Sequence, residues 1–275
     1  MNSALVIAPD DNYALNNKGI ALQSLGDLQA QLSEFEAAKQ SYSDAIAAYN
    51  SALIIAPDDS GLLHNKGKAL RCLGDLQAQL SEFDAAKQSY SDAIAASNSV
   101  LIIAPEYSYG LNYKGIALRC LGDLQAQLSE FEAAKLSYSE AIAAFNSALL
   151  IAPDFISVLT HKGIALKCLG DLQARLSEFD AAKQSYSDAI AAFNYALLIA
   201  PDDNYGLNNK GNALIRLGSL QAKLSDRQEA LKNWQEALEM FNRSLAIAPN
   251  GNSIRNRRDS LQEYLDNLGE DTASS

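Results

Sequence analysis

Proline recurs at Pro9, Pro57, Pro105, Pro153, Pro201 and Pro249, and glycine at Gly19, Gly67, Gly115, Gly163 and Gly211, so the chain advances in steps of 48 residues. A period of this size means that each unit buries its apolar face only against its neighbours, which is how a solenoid is built. A length of 275 residues would otherwise suggest one or two globular domains. The repetition divides the chain into a partial-repeat stub (1–8), five repeats (9–56, 57–104, 105–152, 153–200 and 201–248), a C-terminal capping helix (249–268) and a tail expected to be disordered (269–275). The stub aligns with the end of a repeat's second helix, so a longer array with an upstream effector domain is one reading of the chain.

Within a repeat, Pro9 and the polar Asp10, Asp11 and Asn12 form a connector. Leu15, Leu22, Leu25, Leu28 and Leu32 follow at spacings of three, four and seven, the mark of one buried helix face. Ser33-Glu34-Phe35-Glu36 has the form of a capping box and predicts the start of a second helix. Its stripe, Phe35, Ala38, Tyr42, Ala45, Tyr49, Ala52 and Ala56, alternates large and small residues, so neighbouring helices can interdigitate. Gly19 inside the first helix costs about 1 kcal/mol relative to alanine, and its recurrence predicts a close helix approach. Gly26 and its equivalents leave two hairpin turns open, one at Gly26 and one at Ser33. The recurring serine-to-acid spacing favours Ser33.

The composition includes 22 basic and 33 acidic residues, for a net charge of −11. This argues against nucleic acid or an anionic membrane as partner. The start lacks a secretory signal, and no apolar run reaches the length of a membrane span. A cytoplasmic protein is expected. Cys72, Cys120 and Cys168 share one register position, and helices 8–10 Å apart hold such residues too far from one another for a disulfide; they read as reduced thiols. His64 and His161 sit at different register positions and form no metal-ligand pair. With no phosphate loop and no nucleophile beside a base, the expectation is a non-enzyme without cofactor or metal.

The residues resemble the tetratricopeptide repeat, over nearly the whole chain. Leu15, Gly19, Leu22, Ala38, Tyr49, Ala52 and Pro57 match that family's pattern, and the fifth repeat is nearest to it. Two departures stand out. Lys18 and its equivalents occupy a commonly apolar position, and the 48-residue unit exceeds the family's 34 by 14, or one heptad for each helix. The resemblance implies an all-α fold, a right-handed α-solenoid of stacked antiparallel helical hairpins.

It also implies that first helices line a concave groove. The repeats differ most between the proline and the middle of the first helix, while Leu25–Phe35 recurs unchanged at Leu73–Phe83 and Leu121–Phe131. The predicted groove contains Tyr13, Asn16, Asn17, Gln23, His64, Asn65, Lys68, Arg71, Tyr109, Asn112, Tyr113, Arg119, Thr160, His161, Lys167, Tyr205, Asn208, Asn209 and Asn212. An asparagine ladder of Asn16, Asn112 and Asn208 could hold the backbone of an extended peptide, tyrosines add amphipathic contact, and Arg or Lys favours an acidic segment. Only Asn65 and Lys68 point toward the family's carboxylate clamp. The function expected is a protein or peptide-binding scaffold; the alternative is a structural protein whose copies associate end to end. After Pro249, Ile254, Leu261, Leu265 and Leu268 give the last helix one apolar face. Its Arg255, Arg257 and Arg258 read as a solvated face.

Overall fold

The computed structural model describes residues 11–273, with side chains through 267; the stub at 1–8 lies outside this range. The described residues form eleven helices and no strand. Two compact units divide them, Met1–Ile151 and Ala152–Ser275. The first unit holds three antiparallel hairpins: α1 (Asn12–Gln31) with α2 (Phe35–Ile55), α3 (Ser60–Gln79) with α4 (Phe83–Ile103), and α5 (Ser108–Gln127) with α6 (Phe131–Ile151). The second holds α7 (Ile156–Arg175) with α8 (Phe179–Ile199), α9 (Asn204–Lys223) with α10 (Arg227–Ile247), and a terminal helix α11 (Asn252–Ala273) packed on α10. Inside each unit, a second helix packs on its own first helix and on that of the next hairpin.

Gly26 lies inside α1, so the hairpin turn is at Ser33, but the serine does not cap the second helix. Its φ is 63°, in the left-handed region, as are those of Ser81, Ser129, Ser177 and Ser225. Ser33 donates its amide to Ala30 O (3.1 Å) and Glu34 donates to Gln29 O (2.8 Å). Together these bonds form a Schellman closure of the first helix. The residue entering α2 is Glu34, and its side chain makes no capping bond. The expected capping box is therefore a C-terminal stop, because serine–x–x–acid spacing is compatible with either role.

The alternating stripe packs as expected. Ala38, Ala45, Tyr49 and Ala52 are fully buried, and Tyr42 nearly so. Both glycines of this hairpin make room for these rings. A Cβ on Gly19 would stand 2.5 Å from Tyr49 Cε1, and one on Gly26 would stand 2.8 Å from the ring of Tyr42. Burying one such ring contributes roughly 1.5–3 kcal/mol. A polar pair fixes the same register: Tyr42 Oη donates to Asp27 Oδ1 (2.8 Å) and Ser41 Oγ to Gln29 Oε1 (2.7 Å), and the pattern recurs at Tyr90–Asp75 and Tyr186–Asp171. Asp27 and its equivalents Asp75 and Asp171 thus lock hairpins. Lys210, at a commonly apolar position, is buried and paired with Glu236 at 2.7 Å.

Two boundaries differ from expectation. In α1, Leu25, Leu28 and Leu32 are 44%, 52% and 62% exposed, whereas Leu73 and Leu76 of the identical segment in α3 are buried against Tyr42 and Ala38 of α2. No described helix precedes α1 to give it such a cover. At the other end, α11 stays helical to Ala273, past the expected stop at Leu268; a single glycine, Gly269, costs about 1 kcal/mol and without a following proline does not end a helix.

Candidate functional site

An aspartate before the first helix is the local rule. Asp11, Asp59 and Asp203 accept bonds from the first-turn amides of α1, α3 and α9 at 2.9–3.2 Å. At the same register α5 and α7 carry Tyr107 and Phe155, with no side-chain cap. Losing such a cap costs about 1 kcal/mol. In the first unit the aromatic forms a cluster instead. His64 meets Tyr113 edge-on with centroids 4.3 Å apart and Tyr107 at 6.0 Å, and Tyr107 stands 5.7 Å from Tyr109. Tyr109 is half exposed. Burial, then the charge of Lys68, hold the His64 imidazole below its ordinary pKa, so it stays neutral and can accept a hydrogen bond. Burial, with the nearby Tyr109 and Tyr113 phenols, raises the Tyr107 hydroxyl. The result is a neutral, half-open aromatic and imidazole surface.

The other expected groove residues do not all present themselves to solvent. Tyr13 and Tyr205 are exposed, but Gln23, Asn112 and Thr160 are buried between helices. The asparagine ladder is committed within the chain: Asn65 Nδ2 donates to Asn16 Oδ1 (3.0 Å), and Arg257 donates to Asn208 (3.3 Å) and Asn212 (3.1 Å). Asn209 bonds the carbonyl of Tyr205 at 2.8 Å. The basic residues are neutralised one turn away, Arg71 by Asp75, Arg119 by Asp123 and Lys167 by Asp171. Asn17 and Lys68 are half-buried on α1 and α3. In the second unit Thr160, His161 and Tyr205 border one recess of about 460 Å³ together with Asp203, and Ser157 Oγ lies 3.4 Å from His161 Nδ1.

A larger opening, about 660 Å³, lies between α9 and α11 over Trp234 of α10. The predicted groove includes none of its lining residues. A signal for it is nonetheless present in the sequence: Ser219 and Trp234 stand where the other hairpins carry the Asp–Tyr pair.

Residues 159–263, all in the second unit, match the family model described as plant specific mitochondrial import receptor subunit TOM20. No curated protein matches the chain. Among solved structures, BtubC from P. vanneervenii is similar with a TM-score of 0.64 and 20% identity, covering 91% of this chain and 88% of that one. TTC0263, a thermophilic TPR protein of Thermus thermophilus, gives 0.49 and 19%, covering 89% and 98%. YrrB, titled a TPR protein with an unusual peptide-binding site, gives 0.39 and 16%, covering 94% and 97%. The fold is of the tetratricopeptide type. In this fold the enlarged unit packs a first-helix glycine against a second-helix aromatic ring, as Gly19 against Tyr49, with helices of 20 and 21 residues.

Proposed function

We propose that the chain is a non-enzymatic scaffold that binds an extended peptide segment of a partner protein along the faces of its first helices, in the cytoplasm. The observation that carries this reading is Tyr107, which replaces a helix-capping aspartate and instead joins His64, Tyr109 and Tyr113 on a half-open surface. Aromatic side chains at a solvent-facing site give contact area with little conformational cost. The import-receptor description of the matched family supports a protein partner, and Cys72, Cys120 and Cys168, none of them in a disulfide, fit a reducing compartment. Because Arg71, Arg119 and Lys167 are already paired, selectivity for acidic segments at this face is weaker than their charges suggest. The test is to select peptides on the protein from a random library and compare their Kd on Tyr109→Ala/Tyr113→Ala. A loss of tenfold or more is expected, and unchanged affinity with the fold intact would overturn the assignment.

A second reading, association between copies, is favoured by the exposed Leu25, Leu28 and Leu32 of α1. They lie at i, i+3 and i+7, the seam spacing of paired helices. If this reading holds, the mass measured by light scattering rises with concentration and Leu28→Glu abolishes the rise; a constant mass near 29.6 kDa removes it.

A further inference from the structure

The opening over Trp234 lies where four residues differ from those of the preceding repeat. In the preceding hairpin, Asp171 accepts from Tyr186 (2.8 Å) and Lys167 (2.8 Å), and Arg216 of the next first helix approaches it at 3.3 Å. One repeat later these positions hold Ser219, Trp234, Ile215 and Tyr264. The ion pairs that close the earlier junction are gone. Trp234 and Tyr264 meet edge-on at 5.1 Å, and with Ile215, Ala222 and Leu261 they line a largely apolar groove. Its volume, about 660 Å³, is that of a small-ligand or peptide side-chain site.

The groove has one charged lining residue among those described, and it is cationic in an acidic chain. Arg257 donates to Asn208 Oδ1 (3.3 Å), Asn212 Oδ1 (3.1 Å) and Ser253 Oγ (3.2 Å). All three partners are neutral, and the bonds are long for a guanidinium, which forms its strongest bonds with carboxylates at about 2.7–2.9 Å. Three neutral oxygens aim the group, and no carboxylate is among its recorded partners.

We propose that this groove docks a short acidic and apolar segment of another protein, with a bulky aliphatic or aromatic side chain seated on Trp234 and a carboxylate one or two residues away on Arg257. The apolar wall supplies burial and the guanidinium supplies the selection, so neutral or basic analogues bind more weakly. This site shares no residue with the Tyr107 cluster, and either can fail without the other.

Trp234 is the single tryptophan of the chain, so its emission reports the groove directly. The full-length protein is titrated with acetyl-AELFEA-amide, acetyl-AQLFQA-amide, acetyl-AKLFKA-amide and acetyl-AEAAEA-amide. The first is expected to shift the emission with a Kd at least tenfold below that of the second, while the last two give no response at the same concentrations. Arg257→Gln should erase the preference for the acidic peptide and Arg257→Lys should keep most of it, which separates charge from any packing role in α11. Equal affinity for the acidic and neutral peptides, a preference for the basic one, or no response at millimolar acidic peptide would overturn the proposal.

Discussion

Ser81 shows how one residue type conceals its role. A serine at φ 63° carries a Cβ penalty of about 1–2 kcal/mol that glycine avoids, offset in part by glycine's greater unfolded entropy. Ser81→Gly is therefore expected to stabilise the protein by roughly 0.5–1 kcal/mol, read as a higher urea midpoint at unchanged slope. The sequence could not show this, because the sign of φ is fixed by the three-dimensional turn and both candidate roles use the same letters. Glycine was more legible. A Cβ on Gly115 would stand 2.5 Å from the fully buried Phe145 ring, but one on Gly67 would meet nothing closer than 3.4 Å, because Ser97 replaces the aromatic there. Gly115→Ala is expected to lose about 1–3 kcal/mol by overpacking, and Gly67→Ala to gain about 1 kcal/mol of helix propensity. Thermal midpoints moving the same way in both variants would contradict the packing account.

At the scale of the element, periodicity carried the prediction and neighbours limited it. Helix faces, the alternating stripe and the two glycine positions follow from spacing alone. The burial of Leu25 and Leu28 does not, since the same letters are buried in α3 and exposed in α1 according to what covers them. The asparagines likewise look available in the sequence, yet Asn16 and Asn208 accept bonds from side chains 49 residues along the chain. The first turn of α5 gives a test of function against stability. Tyr107→Asp restores the cap seen at Asp59 and should stabilise by about 1 kcal/mol, while peptides selected on the wild type bind it several-fold more weakly. A variant that gains neither stability nor loses affinity would mean that Tyr107 is a neutral replacement.

Over the whole molecule, the repeated buried phenols set a limit at alkaline pH. Burial, followed by the bond to Asp27, raises the hydroxyl of Tyr42 well above its ordinary range; burial and the Asp75 and Asp171 carboxylates do the same to Tyr90 and Tyr186. Burial pushes Tyr49 and the Cys120 thiol to about 12. The folded state thus keeps protons that the unfolded chain releases from about pH 8.5 for thiols and 10 for phenols. The associated stability is complete below those values and is lost as pH rises toward 12. Urea midpoints should be level from pH 7 to 8 and fall steadily from pH 9 to 11; a flat profile would show that the phenols titrate freely.

The five turns share one unusual backbone angle, and Leu25–Phe35 recurs letter for letter in the next two repeats. Seen as heredity, this means that a copying error that removes or adds one whole unit in frame leaves no foreign junction. Removing residues 60–107 would bring α2 against α5, whose Leu121 and Leu124 stand in the register of Leu73 and Leu76. Whole units of this chain are thus interchangeable parts, and Tyr107 and Trp234 mark two positions at which exchanging one unit for another would change the surface.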